Sequence, residues 1–473
     1  MNLLSSPAKA PGASPPGPSS RVFGFDLLRE TRQDYLGHVE RLHLAYGDIV
    51  KSQVVHETIF DVHHPDLIRQ LLVDNADALI RWERGMQVFA AVHGQSVLVT
   101  EGERWKRQRH MLQPGFSAKR MASYATLMCE ATASALSSLH SAPVQLNGQI
   151  KLEFLHWAKQ LTMDVILKTL FGSHSLATHD AALRDHMVQA TALLAREGMK
   201  ELFFLASWPD WMPHKAAKRK AKQLLDNVIR SQISARRQSL EHGSTHDGDV
   251  LSMLFNARDE AGLGLSDLEI RDQCMTIFLA GHDTSATALS WWAWLMATHP
   301  EHAQKAQQQV DSVLQGRAPG YNDMVHLPYL AWSLKEAMRL YPPAASLLSR
   351  RTLREVQLTG CTIPKGAMVR VTPWLVQRDA RWFADPLQFK PERFDESQNT
   401  MHRQSYMPFG SGPRMCIGSL FAMTEMTLIA AHLLQRFTLS TQSAPQPRLE
   451  VLLSPVGGVQ LNLSPRHFNP SQM

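Results

Sequence analysis

The stretch that decides the fold lies near the C-terminus, where residues 409–418 read Phe-Gly-Ser-Gly-Pro-Arg-Met-Cys-Ile-Gly. Cys416 follows a glycine-rich turn, and an apolar helical pattern continues from Leu420 to Leu434. The start of a helix presents unpaired backbone N–H groups and the positive end of the helix dipole. Both stabilise a thiolate, so this placement suits a ligating cysteine, although Cys416 taken alone favours an ordinary buried cysteine.

Three interpretations of this cysteine can be weighed. A buried cysteine usually acts as a small apolar side chain. Gly-x-Gly before a helix is a weak signal for a phosphate loop, but the Lys-Ser/Thr ending of such loops is missing here. A thiolate can also be the axial ligand of haem iron, where it favours cleavage of the O–O bond. The stretch fixes Phe409, two glycines, Arg414, Cys416 and Gly418 in one frame. This frame resembles the haem-binding loop of the cytochrome P450 family, and the resemblance favours the haem ligand.

The resemblance implies a mainly α fold, the helix-rich triangular cytochrome P450 domain with small β-sheets. Its cofactor would be haem b (iron protoporphyrin IX), held between a long central helix and the cysteine loop with its C-terminal helix. Carried over to this chain, Cys416 is the axial ligand of the haem iron. Phe409, Gly410 and Arg414 would line the cofactor in the same loop.

A second stretch, residues 280–285, reads Ala-Gly-His-Asp-Thr-Ser inside a long helical pattern. Gly281 costs helix stability, about 1 kcal/mol relative to alanine. Thr284 can bond back to the carbonyl of Ala280, so a widened turn is expected, with room for a diatomic ligand. Thr284 and Asp283 supply a hydroxyl and a carboxyl for proton delivery. The alternative is a kinked core helix with a buried polar patch.

These residues also resemble the oxygen-activation motif of the family. By that resemblance Thr284 would hydrogen-bond the bound dioxygen, Asp283 would relay protons, and Ala280 and Gly281 would border the cofactor. His282 occupies a variable position, and we do not expect it to be a ligand.

Glu336 and Arg339 stand at i and i+3 of a helical pattern, which by itself indicates a surface ion pair. Residues 389–394 (Phe-Lys-Pro-Glu-Arg-Phe) resemble a further family motif. The resemblance implies that Arg393 joins Glu336 and Arg339 in a buried charged triad that braces the haem loop.

The family binds the haem propionates with residues that resemble Trp105, Arg109 and Arg350 of this chain. Trp105 and Arg109 are spaced i and i+4, on one face of a predicted helix. A buried propionate needs a paired cation, which makes these assignments chemically reasonable. The alternative for each arginine is a solvated surface side chain.

Helical patterns dominate the rest of the chain, and short strand-like runs occur at 48–63, 356–375 and 449–463. Ser266 and Glu269 form a capping box that should start the long helix, and His299-Pro300 should end it. Residues 81–99 are expected to be a loop that lines the substrate pocket, together with short stretches such as 202–205. We expect one haem-binding monooxygenase domain over residues 21–473, preceded by a disordered Pro/Gly/Ser-rich lead-in at 1–20.

Composition limits the remaining classes of function. The 473 residues carry a net charge of +6 and four cysteines without any C-x-x-C pair, so zinc-ribbon, thioredoxin and covalent c-type haem sites are not indicated. Few cysteines and no signal peptide predict a cytoplasmic protein. No membrane anchor is expected. The basic cluster from Arg104 to His110 suits an acidic protein partner better than nucleic acid.

The resulting hypothesis is a haem-thiolate monooxygenase that inserts one atom of O2 into a lipophilic substrate, by hydroxylation or epoxidation. Because no flavin or dinucleotide fingerprint is present, electrons would come from a separate ferredoxin or flavodoxin-type partner with its reductase. Docking is expected near Arg107 and Arg414. A peroxide-driven or rearranging haem-thiolate enzyme and a non-catalytic haem sensor are the alternatives. Retention of Asp283 and Thr284 counts against the former.

Overall fold

The structure is a computed structural model that describes residues 14–19, 22–140, 148–172, 180–202, 211–242, 248–398, 401–402 and 404–466. Most of the predicted lead-in, and residues 203–205 of the expected pocket lining, lie outside these ranges. Within the described part of the lead-in, the Pro16 carbonyl accepts a hydrogen bond of 2.9 Å from the Lys51 amide.

The predicted mainly α class is confirmed, since helices form most of the described chain. The α-helices are α1 Phe25–Gln33, α2 Tyr35–Tyr46, α3 Pro65–Arg69, α4 Glu83–His93, α5 Gly102–Leu112, α6 Ala118–His140, α7 Phe154–Phe171, α8 Ala181–Leu202, α9 Ala216–Glu241, α10 Val250–Asn256, α11 Asp267–Thr298, α12 Pro300–Leu314, α13 Pro328–Leu340, α14 Pro373–Val376 and α15 Ser419–Arg436.

Short strands accompany the helices. They are β1 Ile49–Val54, β2 Glu57–Val62, β3 Leu79–Arg81, β4 Ile150–Glu153, β5 Arg350–Thr352, β6 Val356–Leu358, β7 Cys361–Ile363, β8 Met368–Val371, β9 Phe437–Ser440, β10 Gln446–Leu449, β11 Leu453–Val456 and β12 Gln460–Pro465.

The described residues divide into two compact units. The first comprises Met1–Gln87, Ala344–Gln388 and Thr400–Cys416. Its main sheet has the strand order β1-β2-β8-β5-β3, in which β2 and β8 are parallel and the other pairs antiparallel. Alternating apolar residues of these strands, with Phe60 and Val369 in register, pack into a core that also contains Met407.

The second unit comprises Val88–Pro343, Phe389–Asn399 and Ile417–Met473, and α11 is its central helix. Ser266 Oγ accepts from the Glu269 amide and the Glu269 carboxylate accepts from the Ser266 amide, so the predicted capping box is present. Buried tryptophans fix α11 to its surroundings. Trp291 Nε1 donates to the Leu453 carbonyl at 2.7 Å, and Trp292 Nε1 donates to Ser333 Oγ at 2.9 Å.

The expected loop at residues 81–99 was wrong, because residues 83–93 form α4. Its buried residues Met86, Val88 and Val92 lie on the protein side of this helix. The helix ends at Gly94, whose φ of +63° and amide bond to the Ala90 carbonyl form a glycine C-cap. The sequence signal for this helix end is weak, because polar and apolar residues alternate irregularly around Gly94.

Candidate active site

In the first unit, the loop that carries Cys416 depends on two glycines with positive φ, +79° at Gly410 and +74° at Gly412. A Cβ added at Gly412 would lie 2.0 Å from the carbonyl oxygen of Leu72, so no other residue fits there. The Cys416 amide donates to the Phe409 carbonyl at 2.9 Å, which closes the loop. Cys416 itself is exposed, as a cysteine that binds a ligand must be.

In the second unit, α11 carries an accessible stripe within an otherwise buried helix. Ile277, Ala280, Gly281 and Thr284 recur at helical spacing on one face, and Ala280 is exposed while the other three are half-buried. The neighbouring residues Phe278, His282 and Ser285 are buried. We call Ile277, Ala280, Gly281 and Thr284 the α11 stripe.

Thr284 makes the back-bond expected from its position. Its Oγ1 donates to the Ala280 carbonyl at 2.7 Å, and the helix continues without interruption from Asp267 to Thr298. Because the hydroxyl proton is used in this bond, the oxygen lone pairs of Thr284 remain as acceptors on the stripe.

Gly281 lies where α7 packs closely against α11. A Cβ at this position would lie 2.9 Å from Cδ1 of Ile166 on α7. An alanine here would therefore need the end of the Ile166 side chain to shift, independently of any ligand. The sequence had suggested a different reason for glycine here, the space needed beside a bound molecule.

Asp283 is held by a cation that the sequence did not indicate. Its Oδ1 lies 2.8 Å from Lys159 Nζ of α7, and each side chain is 20% exposed. Burial alone would raise the pKa of Asp283, but the nearby His282 and the Lys159 ammonium outweigh it and hold the pKa below its ordinary value.

His282 has a structural environment. Its Nδ1 lies 3.0 Å from the Phe278 carbonyl and its Nε2 lies 3.2 Å from Thr191 Oγ1, so the ring links α11 to α8. Burial lowers the pKa of His282.

The structure brings Glu336, Arg339 and Arg393 together. Arg339 donates from Nε and Nη2 to the two carboxylate oxygens of Glu336 at 2.7 and 2.8 Å. Arg393 Nε donates to Glu336 Oε1 at 3.1 Å, and the Lys390 amide donates to the same oxygen at 3.0 Å. The pair is therefore not the surface ion pair that spacing alone indicates, because Glu336 and Arg339 are fully buried.

The residues expected at the propionates occupy both units. Trp105 and Arg109 lie on α5, half-buried, and Arg350 begins β5, where its Nη1 donates to the Leu348 carbonyl. Arg350 stands opposite Arg81 in the β3–β5 register. Arg414 is half-buried in the cysteine loop.

Arg107 does not suit the docking role expected of it. Its guanidinium donates to Asp259 at 2.6 Å, to Glu269 at 2.9 Å and to the Gly264 carbonyl at 2.9 Å. These bonds neutralise its charge within the second unit. The exposed basic side chains of α5 are Arg104, Lys106 and His110, and Lys106 pairs with the exposed Glu103 at 2.7 Å.

Sequence reasoning also missed Glu425, a buried acid on α15. Burial raises the pKa of its carboxyl to about 8, and a hydrogen bond with Ser285, next to Thr284, opposes part of that rise. The only sequence signal was one carboxylate within an apolar helix.

The residues present fit a haem. In the first unit an exposed thiol stands in a loop in which Gly412 leaves no room for a side chain. In the second unit Ala280 is an exposed small residue within a buried helix. Arg350 of the first unit and Arg109 of the second carry guanidinium groups, which bind carboxylates well.

Comparison with known proteins identifies the family. The cytochrome P450 family profile matches residues 15–463. The chain is 33% identical to cyclooctatin synthase of Streptomyces melanosporofaciens over 87% of this chain and 88% of that protein. It is 30% identical to cyclooctat-9-en-7-ol 5-monooxygenase of the same organism, over 84% of this chain and 83% of the relative. With mouse leukotriene-B4 omega-hydroxylase 3 the identity is 28%, over 85% and 79%.

Among the described residues, none of the helices combines the length and apolarity needed to cross a bilayer. The profile match covers nearly the whole chain, and its relatives are named hydroxylases and monooxygenases. The chain belongs to the cytochrome P450 family of haem-dependent oxidoreductases.

Proposed function

We propose that the protein is a haem-thiolate monooxygenase that inserts one atom of O2 into a lipophilic substrate. The observation that carries the proposal is the α11 stripe, where an exposed small residue adjoins Thr284 and the ionisable Asp283 within a buried helix. A carrier or sensor of haem gains nothing from an acid and a hydroxyl in this position.

Haem b would be held through Cys416, with Phe409, Gly410 and Arg414 in the same loop. Trp105, Arg109 and Arg350 would bind the propionates, and Ala280 and Gly281 would border the ring. When bound, the haem supplies the redox chemistry that activates oxygen, and a thiolate ligand favours O–O cleavage. Glu336, Arg339 and Arg393 would support the loop through the buried triad.

The chain's own side chains would manage the protons. The Thr284 hydroxyl donates a hydrogen bond to the Ala280 carbonyl. Its oxygen can therefore accept a hydrogen bond from a molecule bound at the stripe. Asp283, the adjacent residue, exchanges protons with solvent at its exposed edge. The two residues together form a short relay from solvent to the stripe.

A lipophilic substrate is supported by the apolar side chains of the stripe, Ile277 and Ala280. Two relatives carry names that refer to cyclooctatin or cyclooctat-9-en-7-ol, and another acts on leukotriene B4. In keeping with these names, we propose hydroxylation or epoxidation of a terpenoid or fatty-acid type of substrate.

Electrons would come from a ferredoxin or flavodoxin-type protein with its reductase, acting in the cytoplasm. The net charge of +6 and the exposed Arg104 and His110 on α5 favour an acidic partner. Arg107 is excluded from that surface by its internal ion pairs.

The test has two stages. The reduced carbon monoxide complex should show a thiolate-type absorption band, and Cys416→His should abolish it while Cys361→Ser leaves it unchanged. An unchanged band in Cys416→His would show that the ligand is misassigned. Product should then form only with NAD(P)H, reductase and ferredoxin. Turnover with peroxide alone would favour the peroxide-driven enzyme, and ligand binding without turnover would favour the sensor.

A further inference from the structure

His93, the last residue of α4, begins a chain of hydrogen bonds that runs through two hydroxyl side chains. Its Nδ1 lies 3.1 Å from Thr276 Oγ1 of α11, and Thr276 Oγ1 donates to Ser96 Oγ at 2.6 Å. All three side chains are buried. The Val97 amide also donates to Gln273 Oε1 of α11 at 3.1 Å. These contacts hold the segment after α4 against α11 and fix the orientation of the imidazole ring.

The direction of these bonds decides where the proton of the imidazole lies. Burial, aided by the charge of Arg271, lowers the pKa of His93 to about 4, so the ring is neutral at physiological pH. Because Thr276 uses its hydroxyl proton in the bond to Ser96, its oxygen accepts a hydrogen bond from Nδ1–H of His93. The second ring nitrogen, Nε2, therefore has a lone pair and is a hydrogen-bond acceptor.

This acceptor is available to a bound molecule. Nε2 makes no hydrogen bond to a described residue and is not sealed in the interior, since His93 is 8% exposed. Thr276 lies one helical turn before Ala280 of the α11 stripe, on the same face of the helix. Phe89, whose ring stands edge-on to the imidazole at 5.9 Å, and Ile277 add apolar surface. One polar group among apolar side chains suits a lipophilic ligand with one polar group.

We propose, resting on the proposed function, that His93 is a specificity-determining residue whose Nε2 accepts a hydrogen bond from a hydroxyl group of the substrate. The substrate class is then a lipophilic alcohol. Ketones and carboxylates have no proton to donate, so they would bring lone pairs against the lone pair of Nε2.

The position of His93 also separates the hydroxyl from the carbon that is oxidised. Thr276 precedes Thr284 by eight residues on α11, which is about 12 Å along the helix. A hydroxyl held beside Thr276 is therefore far from the Thr284 end of the stripe. The reaction would oxidise a remote carbon and leave the alcohol group intact.

The first measurement is calorimetric binding of two probes to the holoenzyme, n-dodecanol and n-dodecyl fluoride. Their chains are long enough to span that distance and nearly equal in size, but only the alcohol donates a hydrogen bond. The ratio of their dissociation constants is compared between proteins, so that the different hydration of the two probes cancels. In His93→Phe the preference for the alcohol should fall by about 3- to 10-fold, the net contribution of one hydrogen bond.

His432 is the matched control. It is buried in α15, burial also lowers its pKa to about 4, and neither ring nitrogen has a hydrogen-bond partner among the described residues. His432→Phe should therefore keep the wild-type ratio. An unchanged ratio in His93→Phe, an equal fall in His432→Phe, or no binding of the alcohol to the wild type would overturn the proposal.

The second measurement locates the ring proton by nitrogen NMR of the histidine-labelled protein in its diamagnetic carbon monoxide complex. The signals that disappear in His93→Phe belong to His93. Nδ1 should be protonated and Nε2 bare, and the Nε2 signal should shift with n-dodecanol but not with the fluoride. Thr276→Val should populate the other tautomer, whereas Thr276→Ser should retain the wild-type signals.

A proton on Nε2 in the wild type would overturn the proposal, because the site would then select an acceptor instead of a hydroxyl. Neither measurement requires turnover. Failure of the proposed function would be seen separately, as absence of product with NAD(P)H, reductase and ferredoxin.

Discussion

The side chain of Arg339 donates two hydrogen bonds to the Glu336 carboxylate, at 2.7 and 2.8 Å, and both side chains are 0% exposed. Two charges removed from water in this way are stable only while both are present. Arg393 and the Lys390 amide add two further donors to the same carboxylate.

Glu336→Gln should therefore lower the free energy of unfolding by about 3–5 kcal/mol, because it leaves a buried guanidinium without its counter-charge. The measurement is chemical denaturation followed by circular dichroism. Glu103→Gln is the control, since Glu103 and Lys106 have the same i,i+3 spacing but are 88% and 64% exposed. It should cost less than about 1 kcal/mol. Equal losses in the two variants would contradict a buried triad.

Thr284→Ala should divert electrons into peroxide and lower the product formed per NAD(P)H, because it removes the acceptor oxygen from the α11 stripe. Thr284→Ser should retain most of the coupling. Thr298→Ala is a control for the helix itself, since Thr298 makes the same back-bond, to the Trp294 carbonyl at 2.9 Å. Peroxide release and product are quantified in the same reaction. Wild-type coupling in Thr284→Ala would rule out its role in proton delivery.

Glu425 should make stability depend on pH. Burial raises the pKa of Glu425 to about 8 in the folded protein, whereas an unfolded glutamate titrates near about 4.3. Between these two pH values, the folded protein binds one proton more than the unfolded chain. The stabilising effect of Glu425 is complete below the lower of the two pH values. As the pH rises through that interval, the contribution is lost, by up to about 1.4 kcal/mol per pH unit.

The comparison is between wild type and Glu425→Gln, which keeps the shape and removes the titration. From pH 5 to pH 8, the unfolding free energy of the wild type should fall steadily relative to that of Glu425→Gln. A constant difference over this range would show that Glu425 is ionised in the folded protein.

Gly94→Ala should destabilise the protein for two reasons. The residue has a φ of +63°, and an added Cβ would lie 2.1–2.3 Å from the carboxyl atoms of Asp272. Asp272 cannot move easily, because its Oδ2 accepts a hydrogen bond of 2.6 Å from the Gln95 amide. The left-handed backbone alone costs an alanine about 1–2 kcal/mol.

Gly102→Ala separates the two effects, since Gly102 has a φ of +57° and open space around its Cβ position. Thermal unfolding should show a clearly larger loss for Gly94→Ala than for Gly102→Ala. Similar losses would mean that Asp272 yields to the new methyl group.

Local signals in the chain predicted local structure well. The Ser266–Glu269 capping box starts α11, and Thr284 bonds back to Ala280 as its position implies. The helical pattern of residues 26–46, which by itself is typical of one helix, forms two, because Asp34 leaves the helical conformation and accepts a hydrogen bond of 3.0 Å from the Gly37 amide. Such an aspartate is also compatible with a continuous helix, so the break could not be foreseen.

The amino-acid sequence alone predicted the cysteine loop, the long helix with its acid and hydroxyl, and the mainly α class. Each of these depends on residues that are close together in the chain. The tertiary structure decided which charges meet. It paired Lys159 with Asp283 and Arg107 with Asp259, and it buried the pair of Glu336 and Arg339. The free energy of a charge depends on its counter-charge and on its distance from water, and both are set by the packing of segments far apart in sequence.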